Sequence, residues 1–334
     1  MSENNMEVQC ITDLEKAFLL QDQWTKLLEK SEKATPFQDP VWILNWQKYF
    51  GRGRTFILCC FAYDKLVGVL PLHYAENKTK KNYSFIGEGI TDYLDVICLP
   101  ELENQVIDIC YTYLMKNIQQ GDSCVFNFLR SDSPLLLLKR TTEPAIQLLE
   151  HDSCLSLSLP KTKQEFEKNL NLPFKKNILY CIRKFKSQGE LLLKQANENN
   201  YIEYLSELFK LHTARWNERS ASGVLYDIPL QQFHRHIFKE MMTKNRAALF
   251  SLDLNNITLA TLYILLKGNC YYYYIGGFNP VYQKFSPGSI ALYYLIRYAI
   301  DNGKEIFDFL RGQESYKYKW GATDKVLFSL TLKK

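Results

Sequence analysis

The side chains best suited to moving protons gather near the C-terminus. Asp308, Glu314, Tyr316 and Lys319 fall within one short stretch with Arg311 among them, and these are residue types that serve as general acids, general bases or anion holders. His212 and Arg215 are three residues apart in a helical pattern and share a face, with Trp216 beside them. Histidine titrates near pH 6.5 and is an attractive base, although one histidine on an amphipathic helix also serves packing. The run Gln283-Lys284-Phe285-Ser286-Pro287-Gly288-Ser289 opens another helical pattern, where unpaired amides and the helix dipole can hold a phosphate. Pro287 has no N–H to offer, and the Ser286 and Ser289 hydroxyls can compensate; the same letters also write a plain helix cap. Just upstream, Ile275-Gly276-Gly277 ends an aromatic strand pattern. Paired glycines there permit a bulge and close ligand approach, or simply end the strand before Asn279-Pro280. In TDYLDV, Asp92 and Asp95 either hold an amine or cap strand ends. No H-E-x-x-H, C-x-x-C, acidic calcium loop or G-x-S-x-G occurs, so no metal is expected. No serine or cysteine has an obvious neighbouring base, which argues against a covalent intermediate on the protein.

These groups must be positioned by a globular chain. With 334 residues, 46% of them hydrophobic and 23% charged, disorder is excluded and two units, or one built from two similar halves, are expected. Forty-one Lys and Arg against 36 Asp and Glu leave a net +5, too mild and interspersed to demand a nucleic acid. Nine cysteines without C-x-x-C pairing point to a reducing, cytoplasmic setting. The acidic N-terminus does not read as a secretory signal, and Ile257 to Phe278, interrupted by Lys267-Gly268-Asn269, reads as a hairpin and not a membrane span. Helical spacing predicts helices over Leu14–Leu28, from Pro40 through Tyr49, and over Leu102–Ile118. Strands are expected over Thr55–Tyr63 and Leu66–His73, joined at Asp64-Lys65, and then over Tyr83–Ile86, Tyr93–Cys98 and Cys124–Leu129. A lysine-rich shift after Ser158 marks a boundary between residues 1–158 and 159–334. Beyond it the expected order is β-α-α-β-β-β-α-β-α-β. The four tyrosines 271–274 alternate between faces of a strand and are assigned to packing.

The order of elements and several phrases resemble one branch of the GNAT acyltransferases, the GNAT-like acetyltransferase family first described around cellulose-biosynthesis proteins. The phrases are LHTARWNERSASGVL (211–225), YYYYIGGFNPVYQKFSPGSIAL (271–292) and FDFLRGQESYKYKWG (307–321), with TPFQDPVWILNW (35–46), LVGVLPL (66–72) and TDYLDV (91–96) in the first half. A more distant resemblance is to the Fem peptidyltransferases. The resemblance implies an α/β fold of α+β mixed-sheet type, made of two tandem GNAT-like halves with a central cleft, the first on the acceptor side and the second on the acyl-CoA side. It implies acyl transfer from acetyl-CoA or another acyl-CoA to an amine, on a small molecule, amino sugar or envelope glycan precursor, by a monomer or homodimer. It assigns Gln283, Lys284, Ser286, Gly288 and Ser289 to the phosphate loop, with Ser286 where a glycine is usual. Ile275, Gly276 and Gly277 fall at the bulged fourth strand. Tyr316 is placed like the tyrosine that protonates the CoA sulfur, and Lys319 resembles the Fem lysine that stabilises charge at the reacting carbonyl. Asp308, Glu314 and His212 remain catalytic candidates, and Arg215, Trp216, Asp92, Asp95 and Arg311 substrate-binding ones. Two alternatives stay open: a Fem-like aminoacyl transferase using charged tRNA, and a CoA-binding protein without turnover.

Overall fold

A computed structural model describes residues 6–77, 80–140, 146–217 and 224–334; the side chains of residues 139–140, 215–217 and 224 lie outside the description. The chain forms two compact units, Met1–Ser153 with Lys325–Lys334, and Cys154–Asp324. The division therefore falls a few residues before the boundary expected after Ser158, and the C-terminal ten residues belong to the first unit.

In the first unit β1 (Met6–Ile11) is followed by α1 (Leu14–Leu19), α2 (Gln21–Lys30) and α3 (Pro40–Phe50), then β2 (Arg54–Ala62), β3 (Lys65–Asn77), β4 (Lys80–Phe85), β5 (Ile97–Cys98), α4 (Glu103–Asn117) and β6 (Ser123–Arg130). The single helix expected over Leu14–Leu28 is two, because the chain turns at Leu20: α1 buries only Ala17, whereas α2 buries Trp24, Leu27 and Leu28. The first hairpin turns on Tyr63 and Asp64, one residue earlier than expected. Both have positive φ, 50° and 61°, the mirror-image turn whose twist suits a two-residue hairpin. Strand β1 had no clear signature in the sequence, yet it pairs along β2 from Met6↔Ala62 to Ile11↔Ile57.

The two phrases of this unit, TPFQDP and TDYLDV, are drawn together. Gln38 donates through Nε2 to the Asp95 carbonyl at 3.1 Å, Trp42 Nε1 donates to Thr91 Oγ1 at 3.0 Å, and Trp24 Nε1 donates to the Gln38 carbonyl at 3.1 Å. Asp39 caps α3 by accepting from the Val41 amide at 2.9 Å, the service expected of aspartate before a proline at the first helical position.

Strand β7 (Ile146–Ser158) leads into the second unit, which continues through α5 (Lys163–Asn169), α6 (Leu172–Lys186), β8 (Leu191–Gln195), α7 (Tyr201–Asn217), α8 (Ile228–Thr243), β9 (Ala247–Leu254), β10 (Ile257–Lys267), β11 (Cys270–Phe278), α9 (Pro287–Asp301), β12 (Ile306–Arg311) and α10 (Ser315–Tyr318), before β13 (Thr323–Lys333), most of which belongs to the first unit. From β8 onward this is the expected order. The sheet of this unit runs β7-β12-β11-β10-β9-β8, and that of the first β1-β2-β3-β4-β6-β13, with β5 on β3. In both, one pair is parallel, β11 with β12 and β4 with β6; the other neighbours are antiparallel. These are mixed α/β sheets. The final strand had been expected to close the second unit, but it pairs with β6 of the first. A strand has two edges, and those of β12 are already taken by β11 and β7.

Alternation along β10 sorts the faces of the second unit. Ala260, Leu262 and Ile264 enter the core shared with α6 and α9. Tyr263 turns the other way, edge-on to His234 and Phe238 of α8.

Candidate functional site

Strands β11 and β12 pair only at Cys270↔Ile306, Tyr271↔Phe307 and Tyr272↔Asp308. Beyond Tyr272 the ladder with β10 continues while the ladder with β12 ends. The register with β10 slips between Tyr263↔Ile275 and Ile264↔Tyr273, so Tyr274 is the inserted residue of a bulge. The bulge lies one residue before the Ile275-Gly276-Gly277 run, where it had been expected. It explains why Tyr273 and Phe278, five residues apart, pack into the same core: a regular strand would send them to opposite faces. The glycines themselves pair regularly, Gly276 with Leu262 and Gly277 with Thr261. Their role is close packing. A methyl added at Gly277 would lie 2.5 Å from the His212 amide nitrogen and 2.8 Å from the Leu211 carbonyl carbon, so α7 rests directly on this strand; the room a side chain at Gly276 would need is occupied by the Tyr273 hydroxyl.

The opening between the strands is flanked by rings. Tyr273 stands edge-on to Phe309 with centroids 6.5 Å apart, and Phe309 stands edge-on to Tyr316 of α10 at 6.4 Å. Tyr316 is half-buried. Across the sheet, His212 is 4% exposed on the stretch of α7 that covers Gly277. Arg215 and Trp216 belong to the next turn of α7, and their side chains lie outside the described residues.

At the same end of the sheet, Gly288 opens α9 within 3.4 Å of the Phe278 ring, measured from where its Cβ would be. Ser286 caps α9 in the left-handed region, φ 50° and ψ 53°, a conformation glycine adopts freely and serine seldom. The loop expected to hold a phosphate offers fewer backbone donors than the sequence implied. Pro287 has no N–H, the Ser289 and Ile290 amides both donate to the Ser286 carbonyl at 3.0 and 3.1 Å, and only the Gly288 amide of that first turn is unpartnered among the described residues. Gln283 and Lys284 are exposed on the turn before it, with the Ser286 and Ser289 side chains half-buried.

The acidic candidates are drawn into structure. Asp308 is buried, and its Oδ1 accepts from the Leu310 amide at 2.7 Å, holding a turn in which Leu310 has φ 61°. Glu314 is 57% exposed by side chain and pairs with Lys317 at 2.9 Å. Lys319 is exposed at the C-cap of α10 and Arg311 half-buried at the end of β12. Lys317, which the sequence reading passed over, is 2% exposed. Its Nζ donates to the carbonyls of Leu310, Arg311 and Gly312 at 3.3, 2.5 and 3.0 Å. The missed signal was its spacing: Lys317 and Trp320 are three apart and share the buried face of the helical turn, which leaves Lys319 outside.

In the first unit, Asp95 Oδ1 accepts from the Val96 amide at 2.8 Å. Burial pushes its carboxyl up to about 7 against the opposing pull of the Ser133 hydroxyl, the Val96 amide and the Arg130 guanidinium. Asp92 is half-buried in the same loop. A carboxyl whose folded value is raised holds its proton more tightly when folded, so stability is greatest below the ordinary value of 3.8 and falls as pH rises toward about 7. A full rise of that size corresponds to about 4 kcal/mol; with water reaching a half-buried group, we expect roughly 1–3 kcal/mol. Asp95→Asn should therefore be more stable than wild type at pH 8 and lose that advantage by pH 4. Urea midpoints at both values check this, and equal differences at the two would overturn it.

The thiols of Cys59, Cys98 and Cys124 are pushed up to about 12 by burial, which keeps them protonated and poor nucleophiles. Among the described residues no group of three His, Cys, Asp or Glu gathers to hold a metal ion, and no helix is long and apolar enough to cross a membrane.

A parallel ladder that ends beside a bulge, next to a helix N-terminus, is the arrangement that the resemblance to GNAT enzymes implied. Residues 173–318 match the acetyltransferase (GNAT) domain family. That match lies inside the second unit. No curated protein matches the chain. Among solved structures, FemX aligns with a TM-score of 0.67 at 11% identity, covering 98% of this chain and 97% of that one. A conserved protein of unknown function from Bacteroides thetaiotaomicron aligns at 0.63 with 9% identity, covering 98% and 100%. At such identities the likeness is one of fold.

Proposed function

We propose that the protein is a GNAT-type N-acyltransferase that moves an acetyl or other acyl group from acyl-CoA to an amine by direct attack. The observation that carries this reading is the end of the β11–β12 ladder at Tyr272↔Asp308, beyond which a strand edge can align a thioester arm. The diphosphate would meet the Gly288 amide, the Ser286 and Ser289 hydroxyls, Lys284 and the positive end of the α9 dipole. In this mechanism the neutral amine attacks the thioester carbonyl, a C–N bond forms and the C–S bond breaks. His212 accepts the ammonium proton and Tyr316 returns one to the departing thiolate. In our reading Asp308, Glu314 and Lys317 hold the turn that presents Tyr316. We also take the TPFQDP and TDYLDV phrases as marking the branch first described around cellulose biosynthesis, with Asp92 and Asp95 on the acceptor side.

A second reading, charged tRNA as acyl donor, draws on the single spare amide of the phosphate loop and on the exposed Lys176, Arg183, Lys184 and Lys186 of α6. Thermal unfolding separates the two, since a ligand that binds only the folded state raises the melting temperature. Acetyl-CoA is expected to stabilise the protein. Tyr316→Phe is expected to keep that response while losing about 100-fold in kcat. No response to any acyl-CoA, together with salt-sensitive binding of charged tRNA, would favour the second reading.

A further inference from the structure

Four residues on adjacent strands of the second unit form one row. Gly277 of β11 is opposite Thr261 of β10, Thr261 is opposite Ser251 of β9, and Ser251 is opposite Lys194 of β8. Opposed residues project to the same side of a sheet, and the space that a side chain at Gly277 would need is taken by α7 at the His212 amide. The row therefore faces α7. The other side of the sheet agrees: Ala260, Leu262, Phe250 and Leu252, the chain neighbours of Thr261 and Ser251, all enter the core shared with α6 and α9.

The row is polar, whereas α7 buries Leu205, Leu208, Phe209 and Leu211. Thr261 is 1% and Ser251 4% exposed, and neither hydroxyl has a hydrogen-bond partner among the described residues. Two residues beyond Ser251 on the same face, Asp253 is 8% exposed; its Oδ2 meets Lys194 Nζ at 3.1 Å, and its Oδ1 has no hydrogen-bond partner among the described residues. The Lys194 side chain is 38% exposed, so this end of the row reaches solvent. Nearly all buried polar groups in folded proteins are paired with protein or water. Strands lie about 4.8 Å apart, which leaves facing hydroxyls at a spacing that one bridging water spans, and neighbouring unmatched oxygens supply the polar partners that an enclosed water needs.

His212 is buried over the Gly277 end of the row. A buried imidazole that has taken a proton must return it to solvent before the next turnover, and an imidazolium held away from water is costly. We propose that Thr261, Ser251 and Asp253, bridged by water, carry that proton from His212 to the sheet edge at Lys194; the proposal rests on the reading of His212 as the base. A hydroxyl both donates and accepts, so Thr261 and Ser251 each pass one proton on while receiving another. The Asp253 carboxylate takes the last proton and releases it to bulk water, which returns the row to its starting state. These residues act through His212 and touch no substrate.

The test reads proton traffic at His212 directly, in the full chain with isotope-labelled histidine. Exchange of the His212 ring N–H with solvent is followed by NMR, its signal assigned among the five histidines through His212→Asn. Thr261→Val, which keeps the shape and removes the hydroxyl, is expected to slow that exchange by roughly tenfold or more, whereas Thr261→Ser should keep the wild-type rate. Ser251→Ala should slow it likewise, and stands in for Thr261→Val should that variant fold poorly. Exchange at the wild-type rate in the hydroxyl-free variants would overturn the relay, because the proton then leaves by another way, such as opening of α7. Equal slowing in Thr261→Ser and Thr261→Val would also overturn it, since packing and not the hydroxyl would be responsible. The melting response to acetyl-CoA is read in parallel. Row-dependent exchange in a protein that ignores acetyl-CoA would keep the path and remove the acyltransferase reading; acetyl-CoA stabilisation with unchanged exchange would do the reverse.

Discussion

Gly277→Ala is expected to lower stability by about 2–3 kcal/mol and to reduce acyl transfer by more than its effect on folding accounts for. The added methyl would sit 2.5 Å from the His212 amide nitrogen and 2.8 Å from the Leu211 carbonyl carbon, distances that packed atoms do not adopt. Both are backbone atoms of a seventeen-residue helix, which cannot yield by a rotamer change. Either α7 shifts off the sheet or β11 bends, and each moves His212 relative to the opening. Overpacking of this kind typically costs 1–3 kcal/mol. Gly276→Ala provides the internal comparison, because its methyl meets the flexible end of Tyr273 and only more distantly Leu262 and the Thr261 carbonyl. It should be the milder change for stability. Urea unfolding of the two variants decides the matter: a Gly277→Ala midpoint equal to wild type would show that α7 does not rest on this strand as described.

Lys317→Met is expected to be the second large loss, about 2–4 kcal/mol. The ammonium is nearly sealed from water and serves three carbonyls of one turn together with Glu314. Removing it leaves those buried acceptors without their donor, and the penalty for an unmade buried hydrogen bond is larger than the gain from a made one. The turn needs such a clasp, since Leu310 and Gly312 both have positive φ, 61° and 96°. Lys319→Ala, two residues on and exposed, should leave the unfolding midpoint within about 0.5 kcal/mol of wild type. If Lys319→Ala nonetheless abolishes transfer, the resemblance to the Fem lysine carries a chemical role at that position. A wild-type midpoint for Lys317→Met would instead remove the clasp as an explanation for the turn.

These two residues mark the boundary of what could be read in advance. Gly277 was singled out in the sequence for a ligand's approach, whereas its tightest neighbour is the backbone of α7. Lys317 was hidden beside Lys319 because both letters are the same and only the helical phase separates them. Tyr316 was selected by resemblance, and the structure adds the contact with Phe309 that sets it at the opening.

Local physics was legible in the residues themselves. Asp39-Pro40 wrote the start of α3, alternation wrote the β10–β11 hairpin, and the order β-α-α-β-β-β-α-β could be followed along the second half, because caps, turns and periodicity act over a few residues. Register and partnership needed the folded chain. That Tyr274 is the inserted residue, that β11 leaves β12 after three pairs, and that β13 completes the first unit depend on which strand edge is open when a strand arrives, and that competition is settled between segments far apart in sequence.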